Sequence, residues 1–144
     1  MRVLLPVDGS EAALTAVHHA LRLLHSGLRA SFVLANVQEP PSLYEVVVAH
    51  DAQVIERVTA AAAVHSLATA QALLRAAGAD FESEIATGDP GHQLIDIAER
   101  FECDAIVMGA HGVGAPLRTG RFGTVANAVL NTARVPVTIV RADD

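Results

Sequence analysis

The residues of this chain that best suit a chemical task lie in a glycine-rich segment, residues 108–124, whose composition fits the capture of phosphate. Its five glycines are Gly109, Gly112, Gly114, Gly120 and Gly123. Glycine lets the main chain approach an anion without a Cβ in the way. A helix-like run follows at residues 125–130, and the first turn of a helix adds N–H groups and a partial positive charge. Thr124 stands where its hydroxyl can cap that helix or donate to a phosphate oxygen. A surface loop without a ligand has the same composition, so composition leaves both interpretations open.

The absence of lysine narrows the chemistry, because all ten basic residues of the chain are arginine. A Walker A nucleotide-binding loop requires lysine, and so does Schiff-base chemistry, including that of pyridoxal phosphate enzymes. A receiver-domain phosphorelay is excluded for the same reason. Any phosphate would be held by main-chain N–H groups, by Thr124, and by Arg118 or Arg121, although surface solvation is the commoner role of a single arginine.

The length of the chain and its net charge restrict the class of protein to which it can belong. The 144 residues predict one domain, residues 1–144, with a core of its own. The net charge of −6 and the scattered arginines argue against nucleic-acid binding. No apolar stretch approaches the ~20 residues of a membrane span, and Pro6 and Asp8 come too early for a signal peptide. Cys103, the single cysteine, excludes an intrachain disulfide. We expect a cytoplasmic protein that binds neither nucleic acid nor membranes.

Apolar runs and helical patterns alternate along the chain. Residues 2–7, 30–37, 104–108 and 135–140 predict buried strands, and residues 81–87 predict a strand exposed on one face. Helices are predicted after Ser10 (the expected N-cap), over residues 51–77, near residues 94–100 and over 125–130. In the second of these we expect one common side, formed by Val54, Val58, Ala61, His65, Ala68 and Ala72. The alternation predicts an α/β fold with a doubly wound parallel sheet of five strands and helices on both faces.

Two of the polar or glycine positions fall at strand ends. Asp8 follows the first predicted strand and Gly109 ends the fourth. In doubly wound sheets, ligands bind beyond the carboxyl ends of the strands, where the winding direction reverses. If these two strands are neighbours, Asp8 and Gly109 flank one crevice. An acidic side chain there can bind ribose hydroxyls or an adenine amine, or it can simply cap the next turn.

Several segments together resemble the universal stress protein family over the full length of the chain. They are residues 3–11, Asn36-Val37 (where the family often has histidine in place of Asn36), Gly88-Asp89-Pro90, residues 103–109 and residues 135–140. The resemblance implies a Rossmann-like fold of the adenine-nucleotide alpha hydrolase type with strand order 3-2-1-4-5. It also implies ATP as ligand, with Mg²⁺ arriving on its phosphates, and a regulatory role in the stress response.

The family's ATP-binding motif is present with one departure. ATP-binding members carry G-x-x-G, nine residues, then G-[S/T]; here Gly109–Gly112 and Gly123–Thr124 are separated by the ten residues 113–122, which include Pro116 and Gly120. By resemblance, the adenosine pocket would be lined by Pro6, Val7, Asp8 and Val37. The phosphates would be held by Gly109, Gly112, Gly123, Thr124 and Val125, and Met108 and His111 complete the predicted nucleotide site.

The sequence favours binding over catalysis. Asp8 and His111 suggest an acid–base pair, but we interpret His111 as a loop residue that faces solvent or the nucleotide. The other histidines lack HExxH spacing, so no protein-built metal site is expected. No positioned general base is evident, and any ATP hydrolysis should be slow. Two alternatives remain: a nucleotide-free dimeric interaction module, with the longer loop closing the phosphate site, and an enzyme acting on a small adenylated substrate.

The last predicted strand suggests how the chain assembles. Residues 135–140 contain four β-branched apolar residues besides Thr138, and only Pro136 disfavours pairing with another strand. In the family's sheet order this strand lies at an edge, and an exposed edge invites pairing. We therefore expect a two-fold homodimer in which the last strands meet antiparallel. The alternative is a monomer whose last helix folds over that edge.

Overall fold

The computed structural model describes residues 1–40, 52–111 and 122–142, with the backbone alone for residues 52–59. The elements of this part are, in chain order, β1 (Arg2–Pro6), α1 (Glu11–His25), β2 (Ser31–Gln38), α2 (Ala52–Ala76), β3 (Phe81–Thr87), α3 (Pro90–Arg100), β4 (Ala105–Gly109), α4 (Thr124–Thr132) and β5 (Val137–Val140). The predicted order of elements is confirmed. Helix α3 begins earlier than its apolar pattern indicated, because the Asp89 side chain caps it and Pro90 fits its first position.

The five strands form one parallel sheet in the order β3-β2-β1-β4-β5, which confirms the predicted fold class and strand order. The chain winds outward from β1 through β2 to β3, then returns to place β4 on the other side of β1. The winding therefore reverses between β1 and β4. Val3, Leu4 and Leu5 of the central strand are all buried, as expected for a strand covered by helices on both faces.

Each face of the sheet carries its own apolar core. Helices α1 and α2 cover one face, and α3 and α4 cover the other. The first core includes Leu5, Val17, Phe32, Leu34 and Leu67. The second includes Leu4, Val33, Leu94, Ile97 and Ile106. Alternate residues of β1 and β2 supply the two cores, so a shift of one residue in register would exchange them.

The common side expected for helix α2 is present, and it faces solvent. Four of its six expected members are exposed: Ala61, His65, Ala68 and Ala72. The buried residues of the helix include Ala63, Leu67, Ala70 and Leu74. Both sets recur at helical spacing, and the set with leucines is buried because leucine removes more apolar area from water than alanine. Val54 and Val58 lie outside the side chains that the structure describes.

The N-cap predicted for α1 is confirmed, whereas the one predicted for α4 is not. The Ser10 hydroxyl accepts a hydrogen bond from the Ala13 N–H at 3.2 Å, as predicted for the N-cap of α1. Helix α4, however, is capped by Gly123, and Thr124 is its first helical residue. The predicted cap at Thr124 is therefore wrong by one position, and α4 begins without any side-chain cap hydrogen bond.

Helices α2 and α3 end in the same way with different residues. After α2, Gly78 has a φ of +70° and the Ala79 N–H donates to the Leu74 carbonyl at 3.0 Å. After α3, Glu102 takes the same left-handed conformation at φ +52°, and the Cys103 N–H donates to the Ala98 carbonyl at 2.8 Å. This hydrogen bond defines the Schellman motif, whose left-handed residue is usually glycine. Glu102 therefore carries strain that Gly78 does not.

Strand β5 lies at an edge of the sheet, as predicted, and pairs with β4 along Val137–Val140. Thr138 is exposed, whereas Val137 and Ile139 are half-buried against the second core. The Pro136 and Val140 carbonyls accept from Ile106 and Ala110, so these even-numbered residues direct their main chain toward β4. The odd-numbered ones therefore direct theirs toward the open side. Across the described ranges, no helix is both long enough and apolar enough to span a membrane.

Candidate functional site

The carboxyl ends of β1 and β4 meet at the point where the sheet reverses its winding. Val3 pairs with Ala105 and Leu4 with Ile106, so the two strands are neighbours, which is the arrangement under which Asp8 and Gly109 are expected to flank one crevice. Asp8 is exposed, and its Oδ1 accepts a hydrogen bond from the Ser10 N–H at 2.9 Å. Asp8 therefore orders the turn between β1 and α1, which is the capping role that the sequence left open. Its carboxylate is exposed at the carboxyl edge of the sheet.

Gly109 has a packing role that the sequence did not reveal. A Cβ at this position would lie 2.7 Å from the Ala12 carbonyl oxygen and 3.0 Å from the Ala12 Cβ. The first turn of α1 thus crosses the end of β4 at a distance that only glycine allows. The close approach joins the turn that carries Asp8 to the start of the glycine-rich segment.

Two main-chain hydrogen bonds close the base of that segment. The Ala110 N–H donates to the Val140 carbonyl at 3.2 Å, and the Gly123 N–H donates to the Ala110 carbonyl at 2.7 Å. The residues between, including Gly112, Pro116, Arg118, Gly120 and Arg121, lie outside the described part of the chain. The predicted phosphate-binding residues Gly109 and Gly123 are thereby held at the same edge of the sheet.

The start of α4 is the electropositive element of this edge. Because Gly123 already donates to Ala110, the next N–H groups of the helix are those of Thr124 and Val125. Thr124 is exposed, and the N-cap residue Gly123 has no side chain with which to cap the helix. The first N–H groups of a helix have no partner within the helix and carry its positive dipole end. Gly123 has an ordinary φ of −65°, so the backbone conformation does not require glycine there.

The remaining predicted residues lie at the same edge but differ in exposure. Pro6, Val37 and His111 are half-buried. Val7 and Met108 are only 2% and 5% exposed, and their side chains belong to the first and second cores. These two side chains therefore pack inside the protein, beneath the edge of the sheet. A ligand above the sheet would meet mainly the half-buried and exposed members of the set.

Sequence reasoning missed a pair of amides at the end of β2. Asn36 is 1% exposed, and its Nδ2 donates to the Val7 carbonyl at 2.8 Å. Gln38 Nε2 in turn donates to Asn36 Oδ1 at 2.7 Å. The available signal was a polar residue inside the apolar run at residues 32–37, since a buried amide must find hydrogen-bond partners.

Within residues 1–40, 52–111 and 122–142, no three His, Cys, Asp or Glu side chains converge as metal ligands do. A marked pKa shift occurs at the opposite end of β4, where burial raises the pKa of the Cys103 thiol to about 11. The groups described at this edge include main-chain N–H groups, the amides of Asn36 and Gln38, and the Asp8 carboxylate.

Comparison with known proteins gives a consistent match. The profile of the universal stress protein family matches residues 1–141. A universal stress protein of Methanocaldococcus jannaschii is 24% identical over 140 residues, which cover 97% of this chain and 81% of that protein. The structure of UspA from Lactobacillus plantarum superposes with a TM-score of 0.81 at 25% identity, covering 98% of this chain and 97% of that one.

A further similar structure contains a ligand. It is a universal stress protein solved in complex with cAMP, with a TM-score of 0.67 and 26% identity. The match covers 98% of this chain and 96% of the other.

Proposed function

This chain belongs to the universal stress protein family, and from that premise we propose that it binds ATP at the carboxyl ends of β1 and β4 and acts as a regulatory module of the stress response. The observation that carries the proposal is the adjacency of β1 and β4 at the point where the winding of the sheet reverses. The Asp8 turn follows β1, and the start of α4 is joined to the end of β4 through the hydrogen bond from Gly123 to Ala110. The cAMP bound to a 26% identical relative supports an adenine nucleotide as the ligand class. We place the protein in the cytoplasm.

The base would bind beside Val37. The pairing of β1 with β2 ends at Pro6 and Ala35, so β2 extends beyond its neighbour at this edge. Main-chain groups in a parallel strand point alternately to the two neighbouring strands. The Ala35 carbonyl points to β1, where it accepts from Val7 at 2.8 Å, and the N–H and C=O of Val37 therefore point the same way. A donor and an acceptor side by side match the edge of adenine, and Asp8 is placed for the ribose hydroxyls.

The phosphates would bind at the start of α4. The N–H groups of Thr124 and Val125 and the Thr124 hydroxyl provide neutral donors in the field of the helix dipole. Gly109 and Gly112 would let the main chain approach from the other side. Mg²⁺ would arrive with the triphosphate, held largely by phosphate oxygens and water. Gly123 holds the base of the segment through Ala110 and leaves room for the anion, because it has no Cβ.

The direct test is calorimetric titration with ATP, ADP and AMP in the presence of Mg²⁺. We expect saturable binding of ATP, and an absence of binding at millimolar ATP would refute the proposal. Gly123→Val should abolish binding without unfolding the protein, because its φ suits valine and only the space for phosphate is lost. Thr124→Ala is the matched, milder change and should cost about 1–2 kcal/mol of binding, as for one hydrogen bond to a charged acceptor. Normal ATP binding by Gly123→Val would place the phosphates elsewhere.

We propose binding without efficient catalysis. Asp8 Oδ1 is engaged by the Ser10 N–H, and no described residue is assigned as a base for an attacking water. ATP incubated with the protein should be hydrolysed slowly or not at all, as followed by phosphate release. Turnover that is lost in Asp8→Ala while ATP still binds would instead assign a catalytic role to this carboxylate and favour an enzyme acting on an adenylated compound.

We propose further that the protein is a homodimer through β5. Val137 and Ile139 direct their main-chain groups toward the open edge, and antiparallel pairing of two copies would satisfy them in an isologous contact. Val137 is half-buried in its own core, so Thr138 is the better position for a test. Thr138→Asp would bring like charges together across the two-fold axis, with Thr138→Ser as the control. Light scattering should show dimers for the parent and control and monomers for Thr138→Asp; a monomeric parent at tens of micromolar would refute the dimer.

One observation favours the second candidate, a nucleotide-free dimeric interaction module. The Gly123 N–H, a predicted phosphate ligand, is already bound to Ala110 at 2.7 Å. Mass spectrometry of the protein purified and then denatured separates the two candidates. Released adenine nucleotide would exclude the nucleotide-free module, whereas its absence together with a failed titration would favour it.

A further inference from the structure

The buried amide of Asn36 sits where the pairing of β1 with β2 stops. Its Nδ2 donates to the Val7 carbonyl at 2.8 Å, and its Oδ1 accepts from Gln38 Nε2 at 2.7 Å. An amide nitrogen can only donate, so Gln38 requires an oxygen opposite it. The Gln38 contact thereby fixes the orientation of the Asn36 amide and leaves its NH₂ group directed at Val7.

The regular continuation of the sheet would use the same carbonyl differently. The Val7 N–H already donates to Ala35 at 2.8 Å, as the parallel ladder requires. The next rung of that ladder would run from the Val37 N–H to the Val7 carbonyl. The side chain of Asn36 occupies this carbonyl, and β2 at Val37 pairs with Ala86 of β3 while its pairing with β1 has ended.

We propose that Asn36 is a positioning residue that keeps the edge between β1 and β2 open at Val37. By holding the Val7 carbonyl, it leaves the Val37 N–H directed into the crevice, where it can meet the base of a nucleotide. This inference rests on the proposed function for its consequence, although not for its geometry. Without the amide, the buried Val7 carbonyl needs a new donor, and the ladder supplies the Val37 N–H. The two strands then close by one rung, and the base loses its contact.

The test combines amide hydrogen exchange at Val37, measured by NMR without ligand, with ATP titration at a temperature where each variant is folded. Asn36→Leu replaces the amide by an apolar side chain of similar volume. Asn36→His is the matched control, because its ring N–H can still donate to Val7. In Asn36→Leu the Val37 amide should exchange at least tenfold more slowly and the Kd for ATP should rise at least tenfold. Asn36→His should stay close to the parent in both.

The outcomes separate the inference from the proposed function. A purely structural role for Asn36 would lower the Tm of Asn36→Leu without slowing exchange at Val37, and that result would overturn the inference whatever the ATP titration shows. A parent that fails to bind ATP refutes the proposed function, while exchange at Val37 still decides whether Asn36 holds the edge open. Asn36→Ala carries the same expectation and replaces Asn36→Leu if leucine prevents folding.

Discussion

Raising the pH from 8.5 to 11 should destabilise the protein through a single side chain, Cys103. The thiol is 6% exposed at the start of β4, and burial raises its pKa from 9.0 to about 11, opposed by Arg2 and reinforced by Asp104. Between these two values the unfolded chain loses the proton and the folded chain keeps it. The unfolded state then binds fewer protons, so the free energy of unfolding falls as the pH rises. Two pKa units correspond to about 3 kcal/mol, fully present below pH 9 and lost as the pH passes 11.

The composition of the chain makes this titration unusually clean. Lysine is absent and Tyr44 is the single tyrosine, so few other side chains titrate in the same range. Urea unfolding of the parent and of Cys103→Ala, measured at half-unit steps of pH, isolates the thiol. Cys103→Ala is destabilised by a constant cavity cost, and any contribution of Tyr44 cancels in the difference between the two proteins. That difference should shrink by about 2 kcal/mol between pH 8.5 and 11, because the folded thiol is only half ionised at pH 11. Parallel stability curves would refute the assignment.

Three further sets of substitutions test the packing around the sheet by urea unfolding. Glu102→Gly should raise the free energy of unfolding by up to about 1 kcal/mol, because it removes the strain of the left-handed conformation. Gly78→Ala should lower the free energy of unfolding by a similar amount. A lower free energy of unfolding in Glu102→Gly would contradict the presence of strain at Glu102. A Cβ at Gly91 would lie 2.7 Å from the Ala128 Cβ, so Gly91→Ala should cost about 1 kcal/mol net of its better helix propensity. In the double variant, Ala128→Gly should relieve the overlap between the two Cβ atoms. Additive effects of the two substitutions on the free energy of unfolding would argue against the contact. Gly109→Ala should cost about 1–3 kcal/mol by pushing α1 away from β4, and it should also weaken ATP binding; unchanged stability would contradict the close approach.

Local features of the chain were the ones that the sequence could predict. The Ser10 cap depends on residues three positions apart, and the strand order followed from alternating elements together with the family resemblance. The exposed side of α2 was not predictable from spacing, because alanines recur on every side and only the leucines at 67 and 74 distinguish the faces. The amide of Asn36 contacts Val7, 29 residues away, so its partner becomes evident only when β1 and β2 are paired.

The position of Gly123 shows a second limit. Both Gly123 and Thr124 are acceptable as the first cap of α4, and the choice between them depends on the hydrogen bond from Gly123 to Ala110. The motif assigned Gly109 to phosphate binding, whereas in the structure the atoms nearest to a Cβ at this position belong to the main chain of Ala12. One glycine can satisfy both needs, and a pattern of residue types does not distinguish them.

The hydrogen bond from Gly123 to Ala110 fixes both ends of the glycine-rich segment at the edge of the sheet. The length of the segment can therefore change without changing the geometry of that edge. Once the two ends are joined at 2.7 Å, an added residue alters only the free energy of closing the loop. That free energy varies with the logarithm of loop length, and the step from eleven residues to the twelve of 111–122 costs about 0.1 kcal/mol. Insertions and deletions in this segment are therefore almost neutral for folding. Descendants of this sequence can change what covers the crevice while Asp8 and the start of α4 keep their places.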